Sequence, residues 1–497
     1  MPAGRIAGAL VALLALAVLA SRAAVAQGVP VAGAAGEAVI NLRGGLPARW
    51  LACVPDCAAA SQGRLLLRAG DGGNELAWEI PGDPVATAAL AALPYTREAR
   101  AAAGGTDVIL TSVGPWDGIQ LIHRYRVAAD GRVLAASLQV PAGARLVVRA
   151  GTDLVPPPLP GLGAMYARTR ALRLDADGQH DLAAGESAAA ADDWVGVRGR
   201  FWAVLASADE PLTLAAGDTD GRPWVALARP GGAAGPMTLR FYAGPVERDS
   251  LAAADPRLRG LLYAAIWEPL RWLAFGLQYL LEAWQSVVGS WALAIILLSA
   301  TVKLLMAPLT WAAGRLQDQV NRTQSALAPE LAAIRRDFRG EEAHRRTLAV
   351  YARHGVSPWY TLKSLAGFLI QIPVFIAAFD MLGEQFGLAG ARFLWAADLS
   401  LPDRALAFAA PAPFFGGYLN VLPLLMTTLT VAASRLQEDP GLTPDLRTGQ
   451  RRRLYAMAAL FFVLLYTFPA GMVLYWTTNN ALHLAGVIAG RLWRRRA

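Results

Sequence analysis

The stretch Trp291-Ala-Leu-Ala-Ile-Ile-Leu-Leu-Ser-Ala-Thr-Val-Lys303-Leu-Leu-Met-Ala-Pro308-Leu-Thr-Trp311 is apolar for long enough to cross a bilayer and carries one cation near its middle. A charge at that depth costs roughly 2.5 to 3.5 kcal/mol even on the lenient insertion scale, so it persists where a wet, protein-lined cavity receives it. The plainer alternatives are a lysine that snorkels to an interface and a helix buried in a soluble core. Further apolar runs follow, and Lys303 lies far from either end of its own, which favours the membrane reading. Composition agrees: hydrophobic residues make up 55% and charged residues 17%, and the mean hydropathy is +0.35. The net charge of +8 does not point to specific nucleic-acid recognition, because the cations cluster in short segments between apolar runs, as in cytoplasmic loops.

The N-terminus reads as an export signal over residues 1–26. Arg5 precedes the apolar run Ile6 to Ala20, and Ala24-Val25-Ala26 offers a small-x-small cleavage site before Gln27. An uncleaved anchor is the alternative, and both send the next segment outward. That segment, residues 27–255, reads as an all-β sandwich: runs such as Asp107-Val-Ile-Leu-Thr-Ser-Val and Arg145-Leu-Val-Val-Arg are punctuated by Gly, Pro and Asp turns. Cys53 and Cys57 are the only cysteines, and in an oxidising compartment a local disulfide fits them better than a metal site.

The five histidines are scattered, and zinc-protease, phosphate-loop and nucleophile-elbow patterns are absent from the sequence. No catalytic residue, metal ligand or cofactor is expected, and the chain does not read as an enzyme.

From Leu262 the period becomes helical. Leu262, Ile266, Leu270, Leu273, Leu277, Leu280 and Trp284 share one face, predicting an amphipathic interfacial helix over 256–290, kinked near Pro269, with a helix capping the β domain as the alternative. After the Lys303 span, Leu316, Val320, Leu327, Leu331, Ile334 and Phe338 keep helical spacing, Gly340 offers a turn, and Glu341 and Glu342 open a second arm. This predicts a helical hairpin over 314–356. Its eight arginines between Arg315 and Arg353 place it in the cytoplasm. Further spans are expected over Trp359 to Leu382, Gly417 to Ala433, Leu454 to Phe468 and Met472 to Gly490, with a basic cytoplasmic tail over 491–497. The expected fold class is a polytopic α-helical membrane protein of five core spans, 291–490, carrying an exported all-β domain.

This order resembles the YidC-type membrane protein insertases of the YidC/Oxa/Alb superfamily. Lys303-Leu-Leu-Met-Ala-Pro-Leu-Thr310 is similar to the family's cation-containing span, and Leu369-Ile-Gln371-Ile-Pro373-Val-Phe375 to its next span. Phe468-Pro-Ala-Gly471-Met-Val-Leu-Tyr475 with Asn480 resembles its last turn and span. Asp193-Trp194-Val-Gly and Tyr242-Ala-Gly244-Pro245 resemble the Gram-negative members, whose periplasmic domain is a β-supersandwich. The chain departs from the pattern in three places. Lys303 stands where relatives usually have Arg, Ser357 to Ser364 is longer than usual and adds Lys363, and the N-terminus looks cleavable. Lys303 and Lys363 are the only lysines in a chain that otherwise uses arginine.

The resemblance implies a multi-pass protein of the bacterial inner membrane, with its large domain periplasmic and its C-terminus cytoplasmic. It implies an insertase and chaperone that receives nascent membrane proteins in a polar groove and releases their apolar segments into lipid, alone or with the Sec translocon. The ribosome and membrane lipids are the other implied partners. The groove residues would be Lys303, Gln371, Thr427, Thr430, Thr478, Asn479 and Asn480, and the lipid-facing slide Phe368, Phe375, Leu460 and Tyr466. For the polar groups, interhelical hydrogen bonding is an equal alternative. A secondary transporter and an envelope-assembly protein are the competing classes, although the internal repeats of transporters are not found.

Overall fold

The computed structural model describes residues 28–54, 57, 62–68, 75–102, 105–357, 359–360, 366–437 and 444–496. The expected signal segment, Lys363 and the side chain of Phe368 lie outside the described residues. The chain divides into two compact units, 1–158 with 167–264, and 159–166 with 265–497.

The first unit is built on alternation. In Val133–Val140, Leu134, Ala136, Leu138 and Val140 point inward, giving the period of two that a half-buried strand requires. This strand sits inside a nine-stranded antiparallel sheet, between Gly235–Pro245 and Ile122–Ala128. Trp202–Ala208, paired to the other side of Gly235–Pro245, is buried along its whole length, so both its faces are covered. Strands Arg170–Asp175 and Trp194–Arg198 of this sheet pack on Arg222–Ala228 of a five-stranded sheet, which makes the sandwich. A further four-stranded sheet, Gly28 to Arg68, is tied on by the Trp50 indole, which donates to the Gly131 carbonyl at 3.1 Å. Cys53, near the end of the interior strand Pro47–Val54, is joined to Cys57 by a disulfide. Two short helices complete this unit, α1 (Pro84–Ala92) and α2 (Arg248–Ala254).

The end of the unit is pinned by Asp255. Its carboxylate accepts the Trp194 indole at 3.0 Å, caps the next turn through the Arg257 amide at 2.8 Å and pairs with the Arg257 guanidinium at 2.9 Å. Burial works to raise this carboxyl, but the bonds from Arg257 and Trp194 outweigh it and hold it below its ordinary value.

The second unit is helical. Its first helix, α3 (Glu268–Val288), begins one residue before Pro269, so no kink occurs there and Leu262 and Ile266 precede the helix. Proline lacks the amide that the first turn leaves unbonded anyway, so it starts the helix rather than bending it. Gly289, at φ 67°, ends it in the left-handed conformation.

Helix α4 runs unbroken from Trp291 to Asp337, 47 residues, past both Pro308 and Pro329. At 1.5 Å per residue it is about 70 Å long, so the apolar stretch and the first arm of the hairpin form one rod. The second arm, α5 (Gly340–Arg353), folds back at Gly340, φ 62°. The arms share a small core of Leu327, Leu331 and Val350, with Ile334, Tyr351 and Val356 around it.

Helices α6 (Ala366–Glu384), α7 (Val421–Leu436), α8 (Pro444–Leu465) and α9 (Ala470–Arg496) follow. α7 starts later than hydropathy suggests, because Leu406–Ala412 and Gly416–Leu419 form a β-hairpin before it. Among the described residues, Trp291–Asp337 is the helix long and apolar enough to cross a membrane, and Val421–Leu436 is a shorter apolar helix.

One group makes the β unit sensitive to acid. His123 is fully buried, with Nδ1 3.2 Å from the Gly45 carbonyl and its ring 5.0 Å from that of Tyr95. Burial pushes its pKa down to about 4, from 6.5. The unfolded chain takes up this proton below pH 6.5 while the folded chain does not. The contribution is therefore intact above pH 6.5 and lost as the pH falls toward 4, a difference of about 3 kcal/mol. In His123→Phe the Gly45 carbonyl keeps its bond from the Tyr125 hydroxyl. Unfolding of the β unit in the detergent-solubilised chain, followed by circular dichroism, should lose stability across this window in the wild type and show a flatter profile in His123→Phe.

Candidate functional site

Lys303 lies at a register set by two helices. The Ile295 side chain meets Gly471, the Ser299 hydroxyl donates to the Tyr475 carbonyl at 3.3 Å, and Lys303 Nζ donates to the Asn479 carbonyl at 3.3 Å. Each level is four residues beyond the last on both helices, so α4 and α9 run parallel with one face of each in contact. Close approach of helices without an apolar driving force needs small residues, and Gly471 and Ser299 supply them here. Ser299 is fully buried and Lys303 half-buried.

The other side of α9 is bonded to α7. Asn480 Nδ2 donates to Thr430 Oγ1 at 2.8 Å and to the Met426 carbonyl at 3.3 Å, and the Thr477 hydroxyl reaches the Leu422 carbonyl at 3.5 Å. Asn479, Asn480, Thr430 and Lys303 therefore form a polar level across three helices. Thr427, Thr430 and Thr478 turn their hydroxyls to carbonyls of their own helices, Pro423, Met426 and Leu474, at 2.8, 2.9 and 2.8 Å. No hydrogen bond joins Gln371, half-buried on α6, to this level among the described residues.

The ammonium has three donors and meets one carbonyl. No carboxylate forms an ion pair with Lys303 among the described residues. A half-buried cation held by a carbonyl alone keeps its charge available to an incoming anion. Sequence reasoning missed Ser299 and the Tyr475 and Asn479 carbonyls, although the four-residue spacing 295, 299, 303 opposite 471, 475, 479 was there to be read.

The slide residues separate. Phe375 packs between Phe379 and Trp476, with ring centroids 4.1 and 4.8 Å away, whereas Leu460 is 63% exposed. Tyr466 is buried: its hydroxyl donates to the Tyr418 carbonyl at 3.1 Å and accepts the Asn420 amide at 3.2 Å. It holds the α8–α9 turn and does not share the exposed face of Leu460. In the hairpin a cleft of about 420 Å³ is lined by Glu330, Ile334, Arg346, Val350 and Arg353, among others.

Residues 283–490, which contain this polar level and the hairpin, match the family model described as 60Kd inner membrane protein. This helical segment is similar to that family. Curated relatives of the family segment include the membrane protein insertase YidC of Syntrophobacter fumaroxidans, 33% identical over 250 residues, 50% of this chain and 42% of the relative. That of Shewanella woodyi is 32% identical over 259 residues, 51% of this chain and 42% of the relative. The chain thus spans less than half the length of these relatives. A crystal structure of an active YidC insertase with its first transmembrane domain resolved aligns over 93% of this chain and 92% of its own, at 16% identity and a TM-score of 0.36.

The bond from Asn480 to Thr430 is the direct side-chain link between α7 and α9 at this level. Asn480→Ala should lower protein abundance, and a double-mutant cycle with Thr430→Val should return a coupling of about 0.6 kcal/mol. Abundance and thermal unfolding in detergent measure it. A coupling near zero would show that the contact holds nothing.

Proposed function

We propose that the chain is a membrane protein insertase of the bacterial inner membrane, with five core spans, the β unit outside and the hairpin and C-terminus in the cytoplasm. The reading is supported by the half-buried Lys303, held on a carbonyl without a carboxylate partner among the described residues, inside the segment that matches the inner membrane protein family. The polar level offers an acidic or polar flank of a nascent membrane protein a place to leave water. The low local dielectric strengthens the attraction of the ammonium for a carboxylate. The client's apolar segment then partitions into lipid along exposed apolar side chains such as Leu460 on α8 or Leu369 on α6. Burial of a span's worth of apolar surface drives the step without a nucleotide or catalytic group. Parallel α4 and α9 suit a topology in which both spans run inward.

The hairpin fits a receiving role. Two arms with their own apolar core exceed what joining adjacent spans requires. Its cations and open cleft give the ribosome or a client a surface on the cytoplasmic side, and cooperation with the Sec translocon belongs to the same proposal. Deleting Gln324 to Arg346 should leave the protein in the membrane yet sharply lower insertion. Normal insertion by a stable deletion variant reduces the hairpin to a linker.

The charge itself is testable. Lys303→Arg should keep most activity, because the site already hydrates a cation. Lys303→Ala should lose insertion of an acidic-flanked client by about tenfold or more, and Lys303→Glu should be worse. A neutral-flanked client should be less affected by either change. Insertion of both clients into vesicles, measured beside protein abundance, checks this, and full activity of a stable Lys303→Ala protein on both would falsify the charge mechanism.

A further inference from the structure

The helical unit contains eight residues from the middle of the β unit's sequence. Leu159 to Tyr166 leave the first unit after Pro158, pack with the helices and return at Ala167. Their seat has no room to spare. The Gly163 amide donates to Thr467 Oγ1 at 3.0 Å, and a Cβ on Gly163 would lie 2.1 Å from the Thr467 carbonyl oxygen. A Cβ on Gly383, near the end of α6, would lie 2.8 Å from the Tyr166 ring, which also meets Phe468 edge-on at 5.4 Å. Pro160 rests on Gly416 of the β-hairpin before α7, where a Cβ would come within 2.6 Å. Thr467 is fully buried beneath this segment.

We propose that Leu159–Tyr166 is a strap that closes the helical unit at the Trp291 end and fixes the register of α9. The strap holds Thr467 and Phe468, and α9 starts two residues later at Ala470. The same turn is tied from a second direction, the Ala470 and Gly471 amides donating to the carbonyls of Leu401 and Leu399 at 2.7 and 2.8 Å. From that fixed start, the levels at Gly471, Tyr475 and Asn479 descend α9 to Lys303. A slip of the turn would therefore move the Asn479 carbonyl off the ammonium. It would also open a path from this end toward the polar level. Polar backbone and small residues in close contact make such a seat specific: it accepts this glycine-bearing segment and excludes side chains at its centre.

Cysteine labelling tests the closure without reference to any client. Met472 is fully buried just below the strapped turn, and the natural cysteines are joined to each other. In Met472→Cys a membrane-impermeant maleimide applied from outside should react slowly. Adding Gly163→Val, or Tyr166→Ala, should raise the rate about tenfold, whereas Gly114→Val, at a glycine with open space around it, should not. Insertion by both strap variants should fall several-fold at unchanged abundance. An unchanged labelling rate in a stably accumulated Tyr166→Ala protein overturns the strap, whatever Gly163→Val does to folding. Faster labelling with undiminished insertion overturns its link to the polar level. That link rests on the proposed function, so failure of the wild-type chain to insert any client sinks the insertase reading while labelling still decides the closure.

Discussion

The contact between Lys303 and the Asn479 carbonyl is the interaction on which the helical unit turns. An ammonium on an apolar helix is costly, and the cost falls only where polar atoms and water replace lost hydration. Here the replacement is one backbone carbonyl, reached because α4 and α9 keep a four-residue register over three levels. A carboxylate would have neutralised the charge and made the pair inert. A carbonyl stabilises the cation and leaves it a cation. Structure and proposed function therefore meet in one choice of acceptor.

The rest of α9 is arranged to protect that register. On its other face, Asn480 and Thr477 bond it to α7 through the Thr430 hydroxyl and the Met426 and Leu422 carbonyls. At its start, backbone bonds to Leu399 and Leu401 fix the turn, and Asn420 Nδ2 donates to the Tyr466 carbonyl at 2.7 Å just before it. Small residues at the α4 contact allow the helices to approach closely enough for hydroxyl-to-carbonyl bonds. The threonines and asparagines expected to line a groove use most of their hydrogen bonds within the bundle. Lys303 also bonds within the bundle, but keeps spare donors.

The β unit follows different physics. Its core is mainly Val, Leu and Ala at alternate positions around a few large aromatics such as Trp50, Tyr125 and Trp194, and some of its polar groups are held by specific partners. The Asp193-Trp194 pair shows this: Trp194 is buried and spends its indole donor on Asp255, which in turn caps the segment leading out of the unit. His123 is tolerated because it is neutral, and its burial is what links the unit's stability to acid.

Much of this was legible in the sequence because it depends on period and composition. The period of two predicted strands, the period of 3.6 predicted helices, and the isolated lysine in Trp291 to Trp311 singled out the residue at the centre of the polar level. Gly340 and the glutamates after it marked the hairpin turn, since a left-handed residue and acidic first-turn side chains are local requirements. Tertiary structure decided what depends on partners distant in sequence. Pro269 could kink or start a helix, and only the position of the preceding segment made it a start. Tyr466 was indistinguishable by hydropathy from a lipid-facing aromatic until Asn420 and Tyr418 appeared beside its hydroxyl. Nothing in Gly161 to Tyr166 announces membership of a helical unit, because a glycine that clears space for a carbonyl three hundred residues away looks like any turn glycine. Local pattern fixes which elements form and which face is apolar. Contacts across the chain decide which acceptor a buried cation meets, and so what it can do.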